Sequence, residues 1–258
     1  MSLSSLQPYI KDDTLVFTLT SNGYKYFTLN LVEHLKKAGV PWKLCIVCAD
    51  KPSYQFFRMQ TIPAIQAVNL LPDTGPNISP FGSRDFQRLN RLKLDLLSTF
   101  MSFPEVKQGI YLDGDIVVYN DFVPDIMSRL AISPLWFQCD EVGSGECLGL
   151  TERCPNACTG FIAWSYGVPQ ILFQVNASLD LWKKQPEDQV FVNAKLREEG
   201  IPFQTLPRDL YPNGQFIRRY SEGSVLKTTT KILHYNYTVG IDKHKRMRQN
   251  NDWLTILL

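Results

Sequence analysis

Apolar and polar positions along this chain follow two rhythms, one of period 2 and one of period 3.6. Leu15-Val16-Phe17-Thr18-Leu19-Thr20 is a short apolar and β-branched run closed by Ser21-Asn22-Gly23, and it predicts a first strand. Phe27, Leu31, Leu35 and Ala38 recur at helical spacing, with Lys36 and Lys37 in the last turn and Gly39 beyond. That pattern predicts a helix from about Tyr24 to Ala38. Trp42 to Ala49 is nearly all apolar, as expected of a parallel strand covered on both faces. Ala64 to Leu70 predicts a third strand, and Leu71 to Pro80 a Pro/Gly loop. Ser83 can then N-cap a helix to about Phe103, with Phe86, Leu89, Leu92, Leu96 and Phe100 turned inward.

Ile110-Tyr111-Leu112 opens another strand. Further on, Leu135–Cys139 and Gly160–Trp164 predict strands, Pro169–Lys183 and Glu187–Glu199 helices, and Lys231–Leu233 a late strand. Strand alternating with helix argues for βαβ units. The expected fold class is α/β: a Rossmann-like mixed sheet, mostly parallel, flanked by helices. No linker or internal repeat divides the chain, so residues 1–258 are expected to form one domain.

Composition narrows the function classes. Of 258 residues, 44% are hydrophobic and 20% charged, and 27 Lys and Arg against 25 Asp and Glu leave a net charge of +2. A nucleic-acid binder normally carries a strongly basic domain or stripe, so no nucleic-acid partner is expected. No apolar run approaches the roughly 20 residues of a membrane span, and Met1 to Lys11 lacks a signal-peptide profile. Cys45 and Cys48 lie inside an apolar run and read as core residues. Cys147, Cys154 and Cys158 share a Gly-rich segment whose single C-x3-C pair is a poor zinc framework, and plain reduced thiols are the simpler reading. Three sequons, at Asn77, Asn176 and Asn236, would carry glycans in a secretory protein. A glycan at Asn236 would crowd His234, which is argued below to be functional. A soluble, cytoplasmic protein is therefore expected.

The most informative stretch is Tyr111-Leu112-Asp113-Gly114-Asp115-Ile116-Val117-Val118-Tyr119. Ionised Asp in an apolar run is costly unless paired or metal-bound. Two Asp two apart on an extended backbone point to the same side, and Gly114 lets a ligand approach closely. Ligands of open α/β sheets bind beyond the carboxyl ends of strands, where this pair falls. It forms half a site for a divalent cation carrying substrate phosphates. An EF-hand is excluded, because a loop begun at Asp113 would have Val117 at its third ligand position and Pro124 where the closing Glu belongs.

Apolar-Asp-x-Asp-apolar at the end of a Rossmann-like half resembles the metal motif of GT-A fold glycosyltransferases, which use nucleotide-diphospho-sugars. Further segments match in order. Cys158-Thr159-Gly160-Phe161 is similar to the Asn-Thr-Gly-Phe segment of glycosyltransferase family 77, with Cys158 in place of Asn. Glu187-Asp188-Gln189 with Phe191 and Asn193 resembles that family's Asp-Gln helix start. His234, Gly240 and Lys243 resemble a late element shared with the glycogenin-like family 8.

The resemblance implies a GT-A domain with residues 1–120 as nucleotide-binding half and 121–258 as acceptor and sugar half. It implies a UDP-sugar donor and a glycan or glycoprotein acceptor. His234 joins Asp113 and Asp115 as metal ligand, and an O,O,N set favours Mn2+ over Mg2+. Lys243 and the Gly240 amide would take diphosphate charge, Thr159 and Gly160 would border the donor, and Asp188 and Gln189 would lie beside the sugar. Lys93 and Arg84 are candidates for the diphosphate, with ordinary surface salt bridges as the competing reading. Thr20, Asn22, Tyr24 and Asp50 stand at strand ends where a base or ribose could lie, although such residues also cap helices. Asp140 ends a predicted strand and could face the acceptor. Family 77 resemblance implies retention at the anomeric carbon and a donor such as UDP-xylose, UDP-galactose or UDP-glucose. The rivals are a haloacid-dehalogenase-like phosphatase with Asp113 as nucleophile, and a sugar-nucleotide- or glycan-binding protein without turnover.

Overall fold

The computed structural model describes residues 3–67, 71–73, 75–140, 156–216 and 227–255. In chain order its elements are α1 (Leu3–Leu6), β1 (Ile10–Lys11), β2 (Thr14–Thr20), α2 (Lys25–Lys37), β3 (Cys45–Cys48), α3 (Lys51–Met59), β4 (Ala64–Gln66) and α4 (Arg84–Met101). Then come β5 (Gln108–Leu112), β6 (Ile116–Val118), α5 (Val123–Leu130), β7 (Leu135–Cys139), β8 (Ala157–Ser165), α6 (Leu179–Lys184), α7 (Asp188–Glu198), β9 (Gln204–Thr205), β10 (Ile232–His234) and α8 (Gly240–Gln249). The main sheet runs β4-β3-β2-β5-β8-β7-β9, with β1 on β2. Its first half is parallel; β8 is antiparallel to both β5 and β7, and β9 is parallel to β7. Antiparallel β6 and β10 form a second, two-stranded sheet.

Alternation along the strands splits the core into two layers. Leu15, Phe17 and Tyr111 face Leu96 and Phe100 of α4 and Phe191 and Leu196 of α7. Val16, Ile110 and Leu112 face Leu31 and Leu35 of α2 and Ile126 and Leu130 of α5. The period-2 side-chain rule therefore delivers Tyr111, and Asp113 after it, to the α4 side. Trp136, Trp164, Trp182 and Tyr211, each less than a tenth exposed, belong to these layers.

Three differences from the sequence reading have local causes. The expected helix over 169–183 is two 3-10 turns, Gln170–Phe173 and Val175–Ser178, followed by α6. Gln174 leaves the helical region (ψ 87), which lets Leu172, Phe173 and Val175 all be buried. Second, α3 was not foreseen; Asp50 caps it by accepting from Ser53 N at 2.9 Å, and Pro52 sits in its first turn. Third, α5 begins at Val123-Pro124, again with Pro in the first turn. Predicted strand residues 68–70 and the thiols Cys147 and Cys154 lie outside the described residues.

Candidate active site

The ends of β2 and β5 and the starts of β8, α7 and α8 converge on a cleft of about 730 Å³. That volume lies in the range of small-molecule sites. Asp113 follows β5, whose last residue pairs with Phe161, and its N–H bonds Gly160 O at 2.7 Å. Asp115 follows one turn later, closed by Ile116 N–H to Asp113 O at 3.1 Å. His234 ends β10, opposite Ile116. Its Nε2 stands 3.2 Å from Asp115 Oδ1 and 3.6 Å from Asp113 Oδ2. One ligand atom from each of the three residues falls within 4.8 Å of the others. Two carboxylates and an imidazole so clustered fit a divalent cation, and the sequence-derived trio is brought together from positions up to 121 residues apart.

Glycines make the convergence possible. A Cβ on Gly160 would lie 2.0 Å from His234 Cε1, so only glycine leaves room for the imidazole. A Cβ on Gly114 would lie 2.6 Å from Thr28 Oγ1, which itself bonds Thr20.

Lys93, almost fully buried, lies between two carboxylates: 3.1 Å from Asp113 Oδ1 and 2.7 Å from Asp188 Oδ2. Its ammonium also lies 4.8 Å from the Tyr111 ring centroid, and Tyr111 OH donates to Asp113 at 2.6 Å. Burial alone would favour the neutral amine, but Asp113 and Asp188 outweigh it and push the Lys93 pKa upward. Lys93 thus ties Asp113 of the candidate cation site to Asp188. Thr159 Oγ1 donates to Asp188 at 2.8 Å; despite burial, Lys93 and Thr159 hold the Asp188 carboxyl below its ordinary range.

Lys243, also buried, forms an ion pair with Asp115. Burial works against ionisation of Asp115, yet Lys243 and His234 hold its pKa far below the ordinary value. Burial would lower the His234 pKa, but Asp115 reverses this and pushes it up to about 10.

On the other side of the cleft Gln189 Nε2 donates to Asp140 Oδ2 at 2.8 Å, and Tyr237 OH donates to Asp140 Oδ1. Tyr237 adopts a left-handed backbone (φ 61), uncommon for a bulky residue. Asn193 accepts from Ala157 N–H at 2.9 Å and donates to Ala157 O and Gln189 O at 2.8 Å, which pins α7 to β8.

Of the sequence-derived candidates, Thr20, Tyr24, Lys93, Asp113, Gly114, Asp115, Asp140, Thr159, Gly160, Asp188, Gln189, His234 and Lys243 line the cleft. Four do not. Asp50 is buried: one carboxylate oxygen caps α3 and the other accepts Asn22 N–H at 3.0 Å, so its geometry is that of a cap rather than of a base or ribose contact. Asn22 accepts from Lys25 Nζ at 2.7 Å. Arg84 is exposed at the start of α4, and Gly240 (φ 60) opens α8. Tyr111, Gln138, Asn236 and Tyr237 were not foreseen. Cys158 receives Asn236 Nδ2 at 3.7 Å and lies 3.7 Å from His234 Nδ1, so sulfur contacts stand where the family's Asn would be.

No family model matches the chain. It is 24% identical to beta-arabinofuranosyltransferase RAY1 of Arabidopsis thaliana over 97% of its own length. The chain spans about half, 50%, of that relative. Among solved structures it is similar to galactosyltransferase LgtC in complex with donor and acceptor sugar analogs (TM-score 0.58, 13% identity, 94% of this chain and 97% of that one). It also matches mouse xyloside xylosyltransferase 1 (TM-score 0.56, 12% identity, 86% and 97%) and glycosyltransferase GlyE of Streptococcus pneumoniae (TM-score 0.54, 15% identity, 93% and 60%). The fold is thereby that of the GT-A glycosyltransferases, as the DxD and its companion motifs implied. No helix among the described residues is long and apolar enough to cross a membrane.

Proposed function

We propose that this chain is a metal-dependent hexosyl- or pentosyltransferase, moving a sugar from a UDP-sugar to a hydroxyl of a glycan or glycoprotein with retention of configuration. One observation carries the reading: Asp113, Asp115 and His234 cluster beside the Lys93–Asp188 pair, at the carboxyl ends of the nucleotide-fold strands. The O,O,N donor set suits Mn2+ better than Mg2+. A cation held there would act as a Lewis acid on the departing diphosphate. Asp113, Asp115 and His234 would hold it, and Lys243 with the N-terminus of α8 at Gly240 supplies further positive charge for phosphate oxygens.

Thr20 and Tyr24 line the part of the cleft at the end of β2, where the nucleotide would lie. Asp188, kept ionised and fixed by Lys93 and Thr159, is suited to accept hydrogen bonds from donor-sugar hydroxyls. Gln189 bridges toward Asp140, which would receive the acceptor hydroxyl. Retention is supported by the state of these carboxylates. Asp188 is tied to a lysine and a threonine, and Asp140 to Gln189 and Tyr237, whereas inversion calls for a carboxylate poised to take the acceptor's proton. In this reading residues 1–120 serve the nucleotide and 121–258 the sugar and acceptor.

The phosphatase rival wants a paired acidic motif after a strand, whereas Glu187 and Asp188 stand at the start of α7. A cytoplasmic setting is favoured by the sequon residue Asn236, whose side-chain oxygen accepts Gly214 N–H at 2.7 Å.

The test is a donor panel with Mn2+, followed by UDP release with and without EDTA. UDP-galactose, UDP-glucose and UDP-xylose belong in it, as does UDP-arabinofuranose, given what the curated relative is named for. Metal-dependent release from one donor, with the product anomer read by proton NMR, supports the proposal. Hydrolysis of a phosphomonoester without nucleotide release favours the phosphatase reading. Binding without release favours the non-catalytic one.

A further inference from the structure

Gln138 lies in the middle of β7 and is fully buried, a primary amide in the otherwise apolar run Leu135-Trp-Phe-Gln-Cys139. It does not line the cleft. Its Nε2 donates to two main-chain carbonyls, Tyr211 O at 3.0 Å and Pro212 O at 2.9 Å. Both N–H groups are therefore spent on acceptors that cannot themselves donate, and the amide has one admissible orientation. The remaining atom, Oε1, faces His234 Nδ1 at 2.9 Å. An amide oxygen can only accept, so Nδ1 must carry a proton. The cation-facing nitrogen, Nε2, is then the one left to offer a lone pair once the imidazole is neutral.

The strand geometry around this contact is irregular where it matters. The β7–β8 register jumps from Phe137 opposite Ile162 to Gln138 opposite Cys158. The residues skipped are Thr159, Gly160 and Phe161, which include the Asp188 partner and the glycine that makes room for His234. Such irregularities re-aim side chains next to functional sites. Here one of them turns β8 toward the cleft while β7 presents Gln138 to the back of the imidazole.

We infer that Gln138 is a positioning residue: anchored by the carbonyls of Tyr211 and Pro212, its amide oxygen fixes the ring orientation and tautomer of His234 so that Nε2 is presented to a divalent cation. The inference rests on the proposed cation site and adds to it the residue that makes the histidine a ligand. Partners of this kind, behind a metal-binding histidine, are typically worth about 10–100-fold in metal affinity.

The test uses Mn2+ alone, titrated into the nucleotide-free protein and followed by the EPR signal of the free ion. Gln138→Met keeps the length and removes the acceptor. Asn213→Ala is the control: its buried amide donates to Cys139 O at 2.8 Å and accepts from Phe216 N–H at 2.9 Å, joining β7 to the same loop, and although its main chain bridges that of His234, its side chain makes no hydrogen bond to the imidazole. Gln138→Met is expected to weaken Mn2+ binding by about 10–100-fold, and Asn213→Ala by less than about threefold, at comparable losses in thermal midpoint. Equal weakening in both variants, or Mn2+ binding by Gln138→Met within twofold of the parent, overturns the inference while leaving the transferase reading intact. A parent protein that binds no divalent cation overturns both.

A measurement on the unaltered chain covers the case in which Gln138→Met does not fold. In the Mg2+-loaded protein, 15N-edited spectra should show a slowly exchanging His234 Nδ1 proton, identified among three histidines by its loss in His234→Gln. If no protected ring proton is found, the inference fails.

Discussion

Replacing Gly160 with alanine isolates what one hydrogen atom does for this cleft. The added methyl carbon would stand 2.0 Å from His234 Cε1, 2.6 Å from Nδ1 and 2.8 Å from Nε2. Ordinary contact begins near 3.4 Å, so ring and methyl must separate by about 1.4 Å. The backbone cannot supply that movement cheaply, because Gly160 O accepts the N–H of Asp113 at 2.7 Å, which binds this strand to the DxD turn. Nor can the imidazole retreat while Gln138 holds it from behind. A metal ligand is useful only within about 0.2 Å of its proper distance. Displacement of this size would take His234 out of the proposed ligand set.

Gly109 offers the matched comparison. A methyl there would meet Trp164 Cζ2, also at 2.0 Å, but at the start of β5, the far end of the strand from Asp113. Both substitutions overpack the interior, at a cost of about 1–3 kcal/mol. Gly160→Ala should lose Mn2+ affinity by at least about 10-fold, as loss of metal-site support does, and UDP release should fall with it. Gly109→Ala should lower the thermal midpoint while the folded fraction keeps its affinity. Mn2+ titration and thermal denaturation of the pair decide the matter. If Gly160→Ala retains parental Mn2+ affinity, or if Gly109→Ala loses as much, the geometric argument is refuted.

Three more outcomes are expected. Lys243→Met removes the ammonium that neutralises Asp115 in the cation-free protein, so Mn2+ alone should bind more tightly and UDP more weakly; a drop in both affinities contradicts this. Lys93→Met leaves Asp113 and Asp188 without their shared cation, and breaking a buried pair in this way costs about 3–5 kcal/mol; chemical denaturation reads the loss, and a change below about 1 kcal/mol would mean that Lys93 behaves as a surface residue. Because the Asp188 carboxyl lies below its ordinary value of 3.8, the stability it contributes is complete above that pH and drains as pH falls below it. Asp188→Asn should accordingly flatten the acid limb of a melting-temperature profile measured without metal, and an unchanged limb would assign acid unfolding to other groups.

Two of the aspartates singled out at strand ends, Asp113 and Asp50, show how similar sequence contexts lead to different places in the structure. Both follow apolar runs and both are candidates for a ligand at the carboxyl edge of the sheet. Asp113 stands in an apolar stretch that continues on the far side, through Ile116-Val117-Val118, so no helix start explains it. Asp50 is followed by Lys51-Pro52-Ser53, a cap with Pro in the first turn, and that local grammar accounts for one of its carboxylate oxygens. Attention to the three residues after each aspartate separates them without a structure. His234, Asp188 and Lys243 could be joined to Asp113 only by resemblance, because tertiary convergence over long separations leaves no periodic trace.

Gln138 differs again. A buried amide in an apolar strand is the same anomaly that makes the DxD conspicuous, since an unpaired polar group there costs free energy. The anomaly was legible in the sequence; its partner was not. Gln138 reaches His234 because the β8 register slips opposite it, and a register shift depends on the pairing of two strands rather than on the pattern of either one. Gln138, inside an apolar strand, thus stands behind the cleft, whereas Asp113, just past a strand end, lines it.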